Sequence, residues 1–233
     1  MKPFTSLLTA ALLSAASLSA CGGSEKHMSI QEQTEKRFQL NPHPTKAYRI
    51  KIKINDAPGP LKLVSSRIQY IADNCSYIIN NVEGASANPE KFINVEFQQT
   101  TLNEYKAIIY LDRMQNEDYF GTGICQWKAG GFNLGFQATG KPEETTFSIG
   151  GILDSSLLVD ERSKKNSLLF KLTETRFYWK KGYPYYRNED GSIYESNTMA
   201  DSGIQSESLN KYYTDQQRKN LFNITVTLEE MKS

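Results

Sequence analysis

The stretch Tyr48-Arg49-Ile50-Lys51-Ile52-Lys53-Ile54-Asn55 alternates apolar and polar side chains without a break. A period of two is typical of a β-strand with one buried face and one face in solvent. The segment Asp56-Ala57-Pro58-Gly59-Pro60 follows directly and ends the strand, because proline has no N–H to donate to a sheet. The folded body is therefore predicted to begin with a strand and a short loop.

Similar apolar runs recur along the rest of the chain. Each is rich in β-branched or aromatic residues and is bounded by Gly, Asn, Asp or Pro. These further predicted strands are Leu61–Ile71, Ser76–Ile79, Phe92–Gln98, Tyr105–Asp112, Ile124–Trp127, Phe132–Ala138, Thr146–Leu153, Leu168–Trp179 and Ile224–Leu228. The pattern predicts a mainly β protein, either an antiparallel β-sandwich or two packed sheets.

Helical signals are weak. The segment Asn88-Pro89-Glu90-Lys91 fits the start of one helical turn, and Ser206–Phe222 carries apolar residues with N-cap candidates at Ser206 and Thr214. The sequence therefore predicts one short helix near the C-terminus beside the two sheets.

Composition limits the classes of protein. The chain has 233 residues, of which 27 are Lys or Arg and 26 are Asp or Glu, so the formal net charge is only +1. This balance argues against a nucleic-acid-binding protein, which needs an excess of basic side chains. We expect one β-rich domain over residues 46–233, and a change in composition near residues 141–160 leaves a division into two lobes open.

Residues 1–20 have the features of a bacterial export signal. Lys2 gives a positive start, an apolar stretch runs from Phe4 to Leu18, and Leu18-Ser19-Ala20-Cys21 provides small residues for cleavage. The last four residues resemble the lipoprotein box, in which the cysteine is acylated and the chain is cut before it. The resemblance implies a periplasmic protein that acyl chains on Cys21 anchor to a lipid bilayer.

Gly22 follows the box cysteine, which under the usual bacterial sorting rule favours the outer membrane. The alternative is an ordinary secretory signal with an incidental cysteine. Residues 21–45 are polar and contain two prolines, so they are predicted to form a lipidated flexible tether. Both histidines, His27 and His43, lie in this segment. A body without histidine lacks Ser-His-Asp and Cys-His nucleophiles and imidazole metal ligands, so we expect no catalysis, cofactor or metal.

The other two cysteines, Cys75 and Cys125, form an even pair in an oxidising compartment. They are predicted to form a disulfide, which would stabilise the fold by roughly 3–4 kcal/mol in the chain-entropy model. The alternatives are two buried free thiols or a catalytic cysteine. The catalytic interpretation is disfavoured because the body offers no histidine to activate a thiol.

Catalytic motifs are absent from the sequence: there is no Gly-x-Ser-x-Gly, His-Glu-x-x-His or Walker loop. Gly121-Thr122-Gly123 lacks the third glycine of a dinucleotide site and is predicted to be a turn. A carboxylate-dependent glycan hydrolase stays an alternative function, because such enzymes need only two acidic side chains and the chain has the acidic pairs Glu117-Asp118 and Glu189-Asp190. Solvated loops are the favoured interpretation of both pairs.

The last third of the chain is rich in tyrosine, a residue enriched at the energetic centres of protein interfaces. The segment Gly182–Tyr194 is predicted to be a hairpin or long loop with Asp190-Gly191 at its tip. Its candidate partner-binding residues are Tyr183, Tyr185, Tyr186, Arg187, Asp190 and Tyr194. The alternative is that these tyrosines are ordinary sheet residues. The sequence also leaves open whether the partner surface lies near Asp56–Pro60.

Short motifs between Tyr48 and Thr146 occur in a defined order. They are Asp56-Ala57-Pro58-Gly59-Pro60, Gln69-Tyr70, Asn74-Cys75, Val95-Glu96-Phe97, Glu104-Tyr105, Ile109-Tyr110, Asp112, Met114, Asp118-Tyr119, Gly121, Gly123 and Cys125-x-Trp127. In this order they resemble a family of small bacterial lipoproteins that act as immunity proteins against type VI secreted phospholipases. The resemblance implies a non-catalytic inhibitor, without a cofactor, whose partner is a secreted phospholipase effector.

The residues after Leu153 carry no part of this resemblance, so the tyrosine-rich segment inherits no role from the family. Two other functions stay open. One is a structural or assembly lipoprotein of the envelope that binds a membrane protein complex. The other is the carboxylate-dependent hydrolase, which requires two acidic side chains about 5 to 9 Å apart in a cleft.

Overall fold

The structure, a computed structural model, describes residues 29–80, 83–153, 171–185, 187, 191–193 and 200–231. In chain order its elements are α1 (Ile30–Glu35), β1 (Ala47–Asn55), β2 (Lys62–Ile71), β3 (Tyr77–Asn80), β4 (Ala85–Ala87), β5 (Glu90–Asn94), β6 (Gln98–Thr101), β7 (Glu104–Tyr110), β8 (Lys128–Gln137), β9 (Thr146–Ile152), β10 (Lys171–Trp179), a 3₁₀ turn (Lys180–Gly182), β11 (Ala200–Asp201), β12 (Ile204–Gln205), α2 (Ser206–Tyr212), α3 (Asp215–Arg218) and β13 (Leu221–Glu230). None of the described helices is long and apolar enough to cross a membrane.

Two large sheets form the body. The first has the strand order β12-β10-β13-β1-β7-β6, and the second has the order β11-β9-β8-β2-β5. Strands β3 and β4 form a separate hairpin. The described pairings are antiparallel except for the short parallel contact of β11 with β9. The predicted fold class, mainly β with two packed sheets and a short C-terminal helix, is confirmed.

The core lies between the two sheets. On β1 the alternation seen in the sequence buries Ile50, Ile52 and Ile54 and leaves Lys51 and Lys53 in solvent. Burial of each such aliphatic side chain stabilises the fold by about 1.5–3 kcal/mol. The neighbouring strand β13 adds Ile224, Val226 and Leu228 to the same buried face, and the second sheet supplies the facing side chains Phe132, Leu134, Phe136, Phe147 and Ile149.

Three buried tyrosines connect one sheet to the other. Their hydroxyls donate to carbonyl oxygens across the sandwich: Tyr70 to Tyr110 at 2.7 Å, Tyr105 to Leu61 at 2.9 Å and Tyr178 to Ser148 at 2.7 Å. Burial raises the pKa of all three phenols, so each hydroxyl keeps the proton that it donates. These bonds fix the alignment of the two sheets.

The strands run between two ends of the sandwich. At one end, which we call the loop end, lie the described parts of four connections: 56–61, 102–103, 138–145 and 180–193. At the other, the anchor end, lie the β3–β4 hairpin and the segments 29–46 and 111–127. The nine residues of β1 separate the two ends by about 30 Å.

Aromatic rings and a disulfide hold the anchor end together. The ring centroid of Phe38 lies 4.9 Å from Trp127 and 5.3 Å from Tyr119, and Tyr77 stacks on Phe120 at 5.5 Å. We call these five residues the aromatic cluster. The two body cysteines, Cys75 and Cys125, are joined by a disulfide, in agreement with the sequence prediction. It connects the segment after β2 to the long segment before β8.

The prediction that residues 21–45 form a flexible tether is wrong for the described part, 29–45. Ser29 caps α1 in a capping box with Glu32, and Phe38 is buried in the core. The N–H of Asn41 donates to the carbonyl of Arg113 at 2.8 Å. The polar composition of this segment predicted too little apolar burial to compensate for the entropy lost on ordering. The buried Phe38 ring and a few backbone hydrogen bonds provide that compensation. Residues 1–28, with the export signal and Cys21, lie outside the described residues.

Two of the local predictions are also wrong. Glu90 begins strand β5 and not a helical turn, because the chain pairs with β2 from that residue onward. The segment Ile124–Trp127 is not a strand. The side-chain amide of Asn74 takes the place of a neighbouring strand there, donating to the Ile124 carbonyl and accepting from the Gln126 N–H.

The predicted C-terminal helix is interrupted. It ends at Tyr212, and a second helix begins at Asp215 after Thr214, whose side chain forms a capping box with Gln217. Thr214 is thus an N-cap as predicted, whereas Ser206 is the first residue of α2 and not its cap. The capping residue in the middle of the run splits one expected helix into two short ones.

Candidate functional site

Tyr183, the first of the predicted partner-binding residues, lies against the β1–β2 loop. Its hydroxyl donates to the carbonyl oxygen of Pro60 at 3.0 Å. Its ring covers Gly59 so closely that a Cβ atom at that position would overlap the Tyr183 ring and its hydroxyl oxygen. A side chain at position 59 would therefore displace the Tyr183 ring from this loop. The two segments that the sequence offered as alternative partner surfaces meet in one surface.

A third connection, the β8–β9 loop, is tied to the same surface. The backbone N–H of Thr145 donates to the carbonyl of Pro184 at 3.0 Å. Within the loop, the buried carboxylate of Glu144 accepts the Thr139 N–H at 2.7 Å, the Thr139 hydroxyl at 2.6 Å and the Gly140 N–H at 3.1 Å. Burial raises the pKa of Glu144, but these hydrogen bonds outweigh it and the pKa lies below its ordinary value. An ionised carboxylate thus fixes the loop.

The remaining predicted residues are partly described. Tyr185 is half-buried, and the exposed Arg187 donates from Nη1 to the Gly191 carbonyl at 2.9 Å. Arg187 and Ile193 form an antiparallel bridge, as expected for a hairpin in this segment. Tyr186, Asp190 and Tyr194 lie outside the described residues. Tyr183 therefore serves to hold the loops together, while Tyr185 and Arg187 are available at the surface.

Exposed apolar side chains also lie at the loop end, and the sequence did not predict them. Leu102, in the β6–β7 turn, is 66% exposed, and Ile193 is also exposed. The N–H of Ile54 donates to the carbonyl of Asn103 at 2.9 Å, which holds this turn beside the end of β1. A single leucine in a polar turn carries no periodic signal, so the sequence alone could not select it.

Aromatic and basic side chains continue the surface toward α2. Trp179 lies 6.0 Å from Tyr213, and the ammonium of Lys181 lies 5.8 Å from the Trp179 ring. Lys211 is 5.0 Å from the exposed ring of Tyr212. Aromatic residues with nearby cations are common where proteins bind each other, because one side chain supplies area and the other a directed charge.

The acidic pairs were the basis of the hydrolase alternative. Asp118, of the pair Glu117-Asp118, accepts the backbone N–H groups of Phe120, Gly121 and Thr122 at 2.7–3.2 Å. This carboxylate stabilises the predicted turn. Glu189-Asp190 lies outside the described residues. Within the described ranges, no three His, Cys, Asp or Glu side chains are grouped so as to hold a metal ion.

Other carboxylates have structural partners as well. At the anchor end, Asp112 accepts from the Thr45 N–H and hydroxyl and from the Lys46 N–H at 2.9–3.0 Å. Burial raises the pKa of Asp112, and these bonds lower it below its ordinary value. Burial raises the pKa of Asp201, which accepts the Gly203 N–H at 2.8 Å within a turn. Asp112 therefore joins the segment before β1 to the segment after β7, and Asp201 stabilises its own turn.

Comparison of the chain with protein-family models, with curated proteins and with solved structures finds no match. The surface at the loop end and the sequence motifs are thus the basis for a functional proposal.

Proposed function

We propose that this protein is a periplasmic, membrane-anchored immunity protein that binds a type VI secreted phospholipase and blocks it sterically. The observation that carries the proposal is the loop end, where three connections from distant parts of the chain are joined into one surface. The lipoprotein box at Cys21 and the ordered motifs between Tyr48 and Thr146 support it from the sequence. Blocking an enzyme in this way requires a surface and no reactive group.

The proposed surface binds by covering the substrate entrance of the phospholipase or by holding its lid. Tyr185, Arg187 and Leu102 are the proposed anchors, since a few aromatic, guanidinium and apolar side chains supply most of the binding free energy at an interface. The bonds from Tyr183 to Pro60 and from Thr145 to Pro184 order the loops before binding. Binding then costs little conformational entropy, which favours tight inhibition. A specific complex of this kind buries more than about 1,000 Å².

Co-expression in the periplasm tests the proposal. Cells that express the effector encoded beside this protein should die, and cells that also express the protein should survive. The double variant Tyr185→Ala with Arg187→Glu should lose protection. The matched control is Lys106→Glu, an exposed lysine on β7 away from the loop end, which should protect as well as the wild type.

Equal death with and without the protein would refute the immunity function. Deletion of the gene in cells that lack the toxin separates the envelope-assembly alternative. A growth or permeability defect in those cells would favour an assembly lipoprotein, whereas an immunity protein is dispensable without its toxin.

A further inference from the structure

The anchor end exposes a group of isoleucines. Ile124 is 61% exposed and Ile78 is 54% exposed, and Ile30 and Ile79 are also exposed. We call these four residues the isoleucine group. Single exposed apolar residues are common on protein surfaces, so their significance depends on where they lie relative to one another and to the chain.

The isoleucine group belongs to segments that are held together. Helix α1, which carries Ile30, contacts strand β3, which carries Ile78 and Ile79. The disulfide joins the residue after Ile124 to Cys75, just before β3. The side-chain amide of Asn74 also donates to the Ile124 carbonyl at 2.9 Å. The group is therefore presented on a cross-linked frame and not on independent loops.

The position of the N-terminal segment indicates what this frame faces. The described structure begins at Ser29, at the anchor end, and Ser29 lies eight residues after Cys21. Eight fully extended residues span at most about 29 Å. An acylated Cys21 would thus hold Ser29 within about 29 Å of the bilayer, and the loop end lies about 30 Å away from Ser29's end of the strands.

We propose that the isoleucine group rests on the lipid surface and orients the domain, with the loop end directed into the periplasm. This inference rests on the acylation of Cys21, which is part of the proposed function. Apolar side chains at the edge of a rigid body gain free energy when they leave water for the acyl boundary of a bilayer. Binding of the acyl chains supplies the attachment, and the isoleucine group supplies the orientation.

The contact is apolar and not electrostatic. Helix α1 and the turn after it carry two acidic side chains, Glu32 and Glu35, and two basic ones, Lys36 and Arg37. These charges balance, so the segment has no basic excess that would attract it to anionic lipid. We therefore expect the orientation to persist at high salt concentration, where electrostatic contacts are screened. The toxin would meet the loop end in the aqueous periplasm, before it reaches lipid.

Photo-crosslinking of the full acylated protein in phosphatidylethanolamine–phosphatidylglycerol vesicles tests the orientation. Benzoylphenylalanine is introduced at Ile78 or Ile124 at the anchor end, and at Leu102 or Ile193 at the loop end as matched exposed controls. After irradiation, lipid adducts are quantified by mass spectrometry. The anchor-end positions should give at least about tenfold more lipid adducts than the loop-end positions, at low and at high salt alike.

Equal labelling at all four positions would overturn the proposal, as would adducts at Ile78 and Ile124 to protein instead of lipid in whole cells. An intact mass without acyl chains would overturn it too. The toxin-protection assay is read separately and uses the anchor-end variants at Ile78 and Ile124, because Leu102 is itself a proposed toxin contact. A protein that is oriented on lipid but does not protect would refute only the immunity function, and one that protects but labels lipid equally at both ends would refute only the orientation.

Discussion

The two ends of the sandwich hold their irregular segments in different ways. At the anchor end, long segments are fixed by a disulfide and by buried aromatic rings, of which Phe38 is the most central. At the loop end, connections are joined by single hydrogen bonds, such as those from Tyr183 to Pro60 and from Thr145 to Pro184. We therefore expect changes at the anchor end to lower stability most, and changes at the loop end to affect binding more than stability.

Removal of the disulfide should have the largest effect. The double variant Cys75→Ala with Cys125→Ala should lose about 3–4 kcal/mol of unfolding free energy, because the bond closes a loop with a sequence separation of 50. Urea unfolding followed by circular dichroism measures the loss. Wild-type protein under reducing conditions is the control and should unfold at the same urea concentration as the variant. A variant that unfolds with the oxidised wild type would show that the disulfide does not stabilise the anchor end.

The aromatic cluster should come next. Phe38→Ala leaves a cavity beside Trp127 and should cost about 3 kcal/mol in the same urea experiment. The matched control is Phe92→Ala on β5, where the ring is about half exposed and lies 5.3 Å from the Arg67 guanidinium. That substitution should cost less than about 1 kcal/mol. Equal losses for the two variants would mean that residues 29–45 are not part of the folded body.

The same contrast explains how much could be predicted from the sequence. The alternation of Ile50, Ile52 and Ile54 with lysines directly predicts β1, since a period of two has one physical meaning in a half-buried strand. The pairing of Cys75 with Cys125 followed from having two body cysteines. The first prediction rests on a local pattern and the second on a count of cysteines. Neither requires knowledge of which distant residues come into contact.

The failures concern interactions between residues far apart in sequence. Phe38 is one aromatic residue in a polar segment. The neighbouring sequence gives no sign that its ring packs between Tyr119 and Trp127. Likewise, Tyr183 and Pro60 are 123 residues apart, so their hydrogen bond has no local signal. The sequence therefore indicated two candidate surfaces at the loop end, and only the packing of the two sheets brings them together.

A smaller effect on stability is expected from two carboxylates that hold backbone segments, Glu144 within the β8–β9 loop and Asp112 between two segments of the anchor end. Glu144→Gln at the loop end should cost about 1.5 kcal/mol at neutral pH, because the amide replaces an ionised acceptor of three hydrogen bonds. The pKa of Glu144 lies below its ordinary value of 4.5, so its contribution is complete above pH 4.5 and is lost as the pH falls through the lowered folded-state pKa. The stability difference between wild type and variant should therefore shrink between neutral pH and pH of about 3.

Asp112→Asn is the matched variant at the anchor end, because Asp112 also accepts three hydrogen bonds and its pKa is also lowered. Both variants should lose stability, measured by urea unfolding at the two pH values. Only Glu144→Gln should weaken binding of the phospholipase, measured by calorimetry, because only its loop forms part of the proposed surface. Equal weakening of toxin binding by both variants would mean that general destabilisation, and not the loop end, determines affinity.

The smallest effect on stability, and the sharpest test of the comparison, comes from two exposed apolar side chains. Leu102→Ser at the loop end and Ile78→Ser at the anchor end should each change the unfolding free energy by less than about 0.5 kcal/mol, since both side chains are mostly in solvent. Leu102→Ser should nevertheless weaken phospholipase binding roughly tenfold, about 1.4 kcal/mol, because it removes an exposed apolar anchor from the proposed interface. Ile78→Ser should leave that affinity unchanged. If Ile78→Ser weakens toxin binding and Leu102→Ser does not, the toxin binds the anchor end, which could not then rest on lipid.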